Sequence, residues 1–149
     1  MAASLIVAGV DGSEHSLAAI RWAAEEARIR GARLRLVAAW KASTLMYAAE
    51  AFPPPFTVDL ESEVRRKAEQ MLEQAFAAVA GELEGIEVER WVRNGPAANV
   101  LCDASTVADM LVVGSRGRGG FSGLLLGSVS HQCAQQASCP VVIVRGAPG

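Results

Sequence analysis

The chain has no Cys-x-x-Cys spacing, no Gly-Lys pair and no charge excess beyond a formal −2. Each shortage removes a class of function. Its three cysteines, Cys102, Cys133 and Cys139, are odd in number and widely spaced, which argues against a disulfide framework or a zinc site. They read as two small helix hydrophobes and a turn residue before Pro140, in a protein expected in the reducing cytoplasm, and nothing in the sequence supports redox sensing. A near-neutral balance gives no electrostatic footprint for nucleic acid or an anionic membrane, so neither partner is expected. The apolar run Leu5 to Val10 has no basic residue before it and meets Asp11 at once, so it is expected to be neither a signal peptide nor a membrane span. No internal repeat is visible.

What is present suits a single domain over residues 1–149, with 51% hydrophobic residues. At this length folding hides roughly two-thirds of the unfolded surface, enough for a core without metal or disulfide. Short apolar runs alternate with segments of helical period. Residues 5–10, 33–40, 86–92, 110–114 and 141–145 predict five strands. A first helix is expected over 14–30, with Leu17, Ile20, Ala24 and Ala27 on one face and Gly31 as its stop. A second starts near Asp59 with the stripe Leu60, Val64, Ala68, Leu72, Phe76 and Val79, and with i,i+4 pairs Glu61–Arg65 and Glu63–Lys67. A third follows Gly95-Pro96, proline in its first turn, and a fourth follows Gly127-Ser128, serine as its cap.

The order βαβαβαβαβ, with apolar strands 1, 4 and 5, predicts an α/β fold: a doubly wound parallel sheet with helices on both faces. The stretch 41–58, with Pro53-Pro54-Pro55, has no period and reads as a solvated loop or a lid over a ligand site.

One segment, "GSRGRGGFSGLLLGS" from 114 to 128, holds six glycines in fifteen positions. It runs from the end of a strand to the start of a helix, at the carboxyl edge of the sheet where open α/β folds bind ligands. Unpaired helix N–H groups beside glycines suit an anion, and phosphate is the natural guest. A Walker A loop is excluded because Gly-Lys is missing. The dinucleotide fingerprint is excluded because the first strand-to-helix turn reads "GVDGSEHS" and "GRGGFS" lacks the last glycine.

What remains is G-x2-G-x9-G-S at Gly114, Gly117, Gly127 and Ser128. With "VAGVDGSEHSLAAIRWA", "NGPAANVLCDA", "ADMLVVGSRGRGG", "LLLGSVS" and "SCPVVIVR", this spacing resembles the ATP-binding branch of the universal stress protein family over nearly the whole chain, apart from 41–58. The resemblance implies a five-stranded parallel sheet of order 3-2-1-4-5 and ATP as ligand. It puts Val10 and Ala39 against adenine, and Asp11 by the ribose and phosphates. Val113, Gly114 and Gly117 then approach ribose and phosphate, while Gly127, Ser128, Val129 and Ser130 cradle the phosphate tail. Magnesium or manganese is expected with the triphosphate, Asp11 being the nearest candidate carboxylate. The resemblance also implies a homodimer through the last strand, 141–145, whose open edge is an aggregation hazard if left bare.

Blander roles stand beside these. Asp11 and Glu14 fit a capping box, and Ser128 can cap its helix as well as meet phosphate. Arg116 and Arg118 could neutralise phosphate charge but read first as solvated loop arginines. Trp40 ends its strand beside the expected adenine site, where core packing competes with stacking. Asp109 reads as a turn residue and His131 as a helix-surface residue. Asp11, Ser13 and His15 have triad chemistry but sit within one turn, unlike a converging triad. No base or Walker lysine is evident, so the expected function is a nucleotide-responsive stress regulator with slow or no turnover. The alternatives are a slow ATP hydrolase or phosphotransferase, and an interaction module indifferent to nucleotide.

Overall fold

The computed structural model describes residues 4–41, 60–117 and 126–146. Of the loop or lid expected over 41–58 only Lys41 is described; its remainder, the helix start at Asp59, and Arg118 with Gly119, Gly120 and Gly123 lie outside the described residues. The elements run β1 (Leu5–Gly9), α1 (Glu14–Arg30), β2 (Arg33–Trp40), α2 (Leu60–Ala78), a 3-10 turn (Ala80–Leu83), β3 (Val88–Asn94), α3 (Ala97–Ser105), β4 (Met110–Gly114), α4 (Ser128–Gln136) and β5 (Val141–Val144). They form a five-stranded sheet of order β3-β2-β1-β4-β5, parallel throughout.

Side chains alternate across a strand, so the two faces of the sheet feed two cores. Ile6, Ala8, Leu34, Leu36 and Val112 pack on one face against Ile20, Ala24 and Ala27 of α1 and Leu72 and Ala75 of α2. Leu5, Val7, Val37, Leu111 and Val113 pack on the other against Val100 and Leu101 of α3 and Cys133 of α4. β1 is buried along its whole length because it lies mid-sheet between β2 and β4. Burying a side chain such as Ile20 is worth about 1.5 to 3 kcal/mol, and the alanine-rich inner face of α1 lets that helix sit close to the strands.

α1 stops as expected: Gly31 takes the left-handed conformation, φ 64°, and its N–H donates to the Ala27 carbonyl. Its start differs from the Asp11–Glu14 capping box. Ser13 is the N-cap, its Oγ accepting from the Ser16 N–H at 3.2 Å, while Asp11 supports Ser13 from outside the helix. Ser13 prevails because it stands immediately before the first helical residue, where its oxygen reaches the orphan amides.

Around α2 the pairs also differ from those expected. Arg66 meets Glu63 at 2.6 Å and Arg65 meets Glu69 at 3.6 Å. Exposed charges on one helix exchange partners at little cost, so spacing alone does not choose among them. β3 begins two residues later than the apolar run suggests. The chain first closes the 3-10 turn, with Ile86 N–H donating to the Leu83 carbonyl, and β3 then pairs from Leu34↔Val88 to Trp40↔Asn94. β5 is not covered on both faces: all four of its residues are half-buried, because it is the edge strand and pairs with β4.

Asp109 is more than a turn former, since its Oδ2 accepts from the Leu5 N–H at 2.8 Å and fastens the start of β1. Arg35 is 7% exposed in the middle of β2. Its Nε donates to Glu89 at 2.8 Å, its guanidinium lies 3.6 Å from the Trp91 ring centroid, and its Nη1 is buried without a partner. Among the described residues no helix is long and apolar enough to cross a membrane.

Candidate functional site

The sheet order reverses between β1 and β4, whose chain connections leave toward β2 and β5 respectively. At the carboxyl ends of these strands lies a cavity of about 280 Å³, at the small end of ligand pockets, which run from roughly 300 to 1,000 Å³. All ten residues named from the sequence line it. Val10 and Asp11 follow β1, Ala39 comes from β2, and Val113 and Gly114 end β4. Gly117, Gly127, Ser128, Val129 and Ser130 complete the wall from the loop after β4 and the first turn of α4.

Val37 of β2, Ser16 of α1, Arg116, and Ala97 and Leu101 of α3 also line the cavity, and sequence reasoning did not name them as ligand residues. Ala97 had a signal: it follows Gly95-Pro96 at a helix start, hence at the same sheet edge. Arg116, for which phosphate neutralisation stands second to a solvated role in the sequence, lines the cavity. Trp40 is buried, 8% exposed, and is not among the residues lining the cavity. His131 is exposed on α4 as expected.

The turn after β1 is built by one carboxylate. Asp11 Oδ1 accepts from the Ser13 N–H at 2.9 Å and from Ser13 Oγ at 2.6 Å. Ser16 Oγ, in turn, donates to the Ser13 carbonyl at 3.0 Å. Gly12 permits this turn by adopting φ 83°, a conformation costly for other residues. The second carboxylate oxygen, Oδ2, lies against Gly117, where a Cβ would collide with it. The glycine therefore lets the backbone of the β4 loop approach the acid. Asp11, Ser13 and His15 do not converge as a triad, because Ser13 Oγ is bonded to Asp11 and His15 faces elsewhere.

The other wall hangs on Ser115. Its carbonyl accepts from the Gly127 N–H at 2.6 Å and from Ser130 Oγ at 3.0 Å, and its N–H donates to the Val144 carbonyl at 2.8 Å. Gly127, not Ser128, is the N-cap of α4. Ser128 is already helical, and no side chain caps α4 among the described residues, since Ser130 Oγ turns back toward Ser115. α3 likewise begins after Pro96 with no side-chain cap. The first turns of α3 and α4 thus bring uncapped amides to the cavity, and the positive ends of both helix dipoles favour an anion there.

His15 buttresses this wall from behind. Its Nδ1 accepts from the Gly146 N–H at 3.1 Å and lies 3.4 Å from Ser115 Oγ. The ring proton therefore sits on Nε2. Gly114 packs directly on the His15 backbone, where a Cβ would come within 2.8 Å of the carbonyl. Among the described residues no cluster of three metal-ligating side chains occurs, and Asp11 is the one carboxylate lining the cavity.

Strand order, parallelism and a crevice at the switch point define a doubly wound α/β domain. The chain belongs to the universal stress protein family, whose model matches residues 4–145. It is 36% identical over 148 residues to a universal stress protein of Mycolicibacterium smegmatis, covering 95% of this chain and 48% of that one. The chain spans about half the length of the first mycobacterial relatives it matches. Universal stress protein YxiE of Bacillus subtilis is 31% identical over 146 residues and is matched over 97% of its length and 94% of this chain. A universal stress protein solved in complex with cAMP shares 27% identity and a TM-score of 0.66, covering 97% of this chain and 98% of that one.

Proposed function

We propose that the β1/β4 cavity binds an adenine nucleotide, ATP in particular, and that binding regulates the protein. The observation that carries this reading is the pair of uncapped helix starts beside Gly117 and Gly127, where main-chain amides can meet phosphate oxygens without an intervening side chain. The likeness to a family member solved with cAMP supports an adenine nucleotide as the ligand class. The apolar end formed by Val10, Val37 and Ala39 suits the base, and Arg116 on the opposite side suits the phosphates.

A divalent cation fits here only together with the nucleotide. Asp11 is the one carboxylate lining the cavity among the described residues, and Mg²⁺ or Mn²⁺ held by one carboxylate plus phosphate oxygens would suit that donor set. Such an ion supplies charge neutralisation at the phosphates. Asp11 itself is held in place by Ser13, a poor arrangement for taking a proton from water, so turnover is slow or absent. Hydrolysis and phosphotransfer are the competing reading.

We read it as a cytoplasmic homodimer: its free cysteines suit a reducing compartment, and a second copy would pair the half-buried edge of β5. The test is native purification, denaturation and mass spectrometry of released nucleotide, followed by calorimetric titration with ATP and Mg²⁺. Bound or titrating adenine nucleotide is expected. Silent titrations at saturating ATP over several temperatures, with thermal unfolding unmoved, overturn the reading.

A further inference from the structure

β3 is the sheet edge opposite β5, and among the described residues no strand lies on its outer side. The alternation of a parallel ladder fixes which of its main-chain groups face out. The Glu87 carbonyl accepts from the Leu34 N–H and the Gly95 N–H donates to the Trp40 carbonyl, so odd-numbered residues bond inward to β2. The N–H and carbonyl groups of Val88, Arg90, Val92 and Asn94 therefore point away from the sheet. Arg90, Arg93 and Asn94 are exposed and the rest of the strand is half-buried, so seven residues of edge stand open. One cation on this edge is unanswered. Arg33 and Arg35 share Glu89, each at 2.8 Å, with Glu87 3.9 Å from Arg33, and Arg90 meets Glu73 at 2.7 Å. Among the described residues no ion pair includes Arg93, whose guanidinium lies 4.1 Å from the Trp91 ring centroid and donates to the outward Val92 carbonyl at 3.2 Å. Glu89, Trp91 and Arg93 alternate along the strand and so share one face.

We propose that β3 pairs antiparallel with β3 of a second copy of this chain, about a two-fold axis at Trp91, so that Glu89 of each copy faces Arg93 of the other. Two copies joined through the same edge by a two-fold axis must run antiparallel. Their outward groups bond only where even-numbered residues oppose even-numbered ones, which leaves few registers. Centred on Trp91, the middle of Val88–Asn94, the pairing uses the whole strand. Arg90 then opposes Val92 and Val88 opposes Asn94 as hydrogen-bonded pairs, with Trp91 against Trp91 and Glu89 against Arg93 between them. Opposite charges across strands stabilise and like charges destabilise. Centred on Arg90, the pairing opposes two arginines, carries Arg93 out to Glu87 before the strand begins, and shortens the overlap. Centred on Val92, it sets Arg93 against Trp91 and Glu89 against Gly95, with no charge pair. In the favoured register Arg93 exchanges the Val92 carbonyl for a carboxylate, and that carbonyl accepts instead from the Arg90 N–H of the second copy. The two half-buried Trp91 rings meet at the axis, in the pair type that brings side chains closest.

This surface shares no residue with the cavity or with β5, so it stands apart from the nucleotide reading and from pairing at the other edge. The full-length protein is examined by sedimentation equilibrium over a range of concentrations. An association step is expected that Arg93→Glu weakens at least tenfold, because it sets Glu against Glu89 twice across the axis, and that added salt also weakens. Arg93 is exposed, so the variant should keep the wild-type unfolding temperature. Crosslinking reads the register. Opposed Trp91 α-carbons would lie about 4.5 Å apart, within the roughly 4.4 to 6.8 Å that a disulfide spans. Trp91→Cys under mild oxidation should therefore yield a 91–91 linked peptide by mass spectrometry, whereas Asn94→Cys, which faces Val88, yields no 94–94 link. A monomer at every concentration overturns the proposal. So does association that Arg93→Glu leaves unchanged, which assigns the contact to β5 or another surface. A 94–94 link, or a folded Trp91→Cys protein without a 91–91 link, overturns it as well. Should Trp91→Cys fail to fold, the Arg93→Glu comparison decides.

Discussion

Gly117 and Asp11 touch: the α-carbon of the glycine leaves no room for a Cβ against carboxylate Oδ2. The acid cannot simply swing away, because Ser13 grips its other oxygen twice. Gly117→Ala is therefore expected to weaken ATP binding at least tenfold while costing about 1 kcal/mol or slightly more in stability. Calorimetry and urea unfolding separate the two, and wild-type affinity in the variant would refute the close-approach argument.

Gly114 makes a harder collision. A Cβ there meets the His15 backbone at 2.8 Å, and backbone in the first turn of α1 yields less readily than a side-chain tip. Gly114→Ala should lose about 2 to 3 kcal/mol by chemical denaturation. A loss below a few tenths would show that α1 can slide on β4.

Asp11 has separable duties. Asp11→Asn keeps an acceptor for Ser13 but removes the charge, so stability should stay within about 0.5 kcal/mol while the Mg²⁺-dependent part of ATP affinity disappears. Asp11→Ala should lose both. Equal magnesium dependence in wild type and Asp11→Asn rules out the metal role.

Arg35 and Glu89 depend on each other unequally. Glu89→Ala removes the carboxylate from a guanidinium that is buried on Trp91 and already has one orphan nitrogen, at a cost of about 2 kcal/mol or more. Arg35→Met, which fills the same space without charge, should cost less. Thermal unfolding of the two variants decides it, and the reverse order would sink the argument.

Cys133 sets an alkaline limit. Its thiol ionises near 9.0 in the unfolded chain and about 12 in the fold, so the folded state holds the proton longer. The contribution is complete below pH 9 and is lost as pH rises from there toward 12. Stability measured across that window should fall less steeply in Cys133→Ala than in wild type; identical slopes would contradict the assignment.

Much of this was readable beforehand, for identifiable reasons. β1, β4 and the α1 stop at Gly31 are set by local signals that tertiary packing does not oppose. The strand order and the ligand residues came instead from a family resemblance, since periodicity does not say which strands are neighbours. Competition between equivalent groups was illegible: Asp11, Ser13 and Glu14 all offer capping oxygens, and only backbone geometry selects Ser13. The start of β3 was obscured because Ile86 is apolar yet belongs to the turn that closes on Leu83. The orphan Nη1 of Arg35 could not be foreseen either, because it arises between strands far apart in sequence.

Ser115 occupies a junction whose effect reaches past the crevice. One residue clasps the outermost strand through its amide and the loop-to-helix corner through its carbonyl. If, as proposed, a second copy pairs along that outer strand and a nucleotide fills the crevice, the two events would meet at this residue, and thermodynamic reciprocity would then require that whatever pairing does to ligand affinity, ligand does equally to pairing.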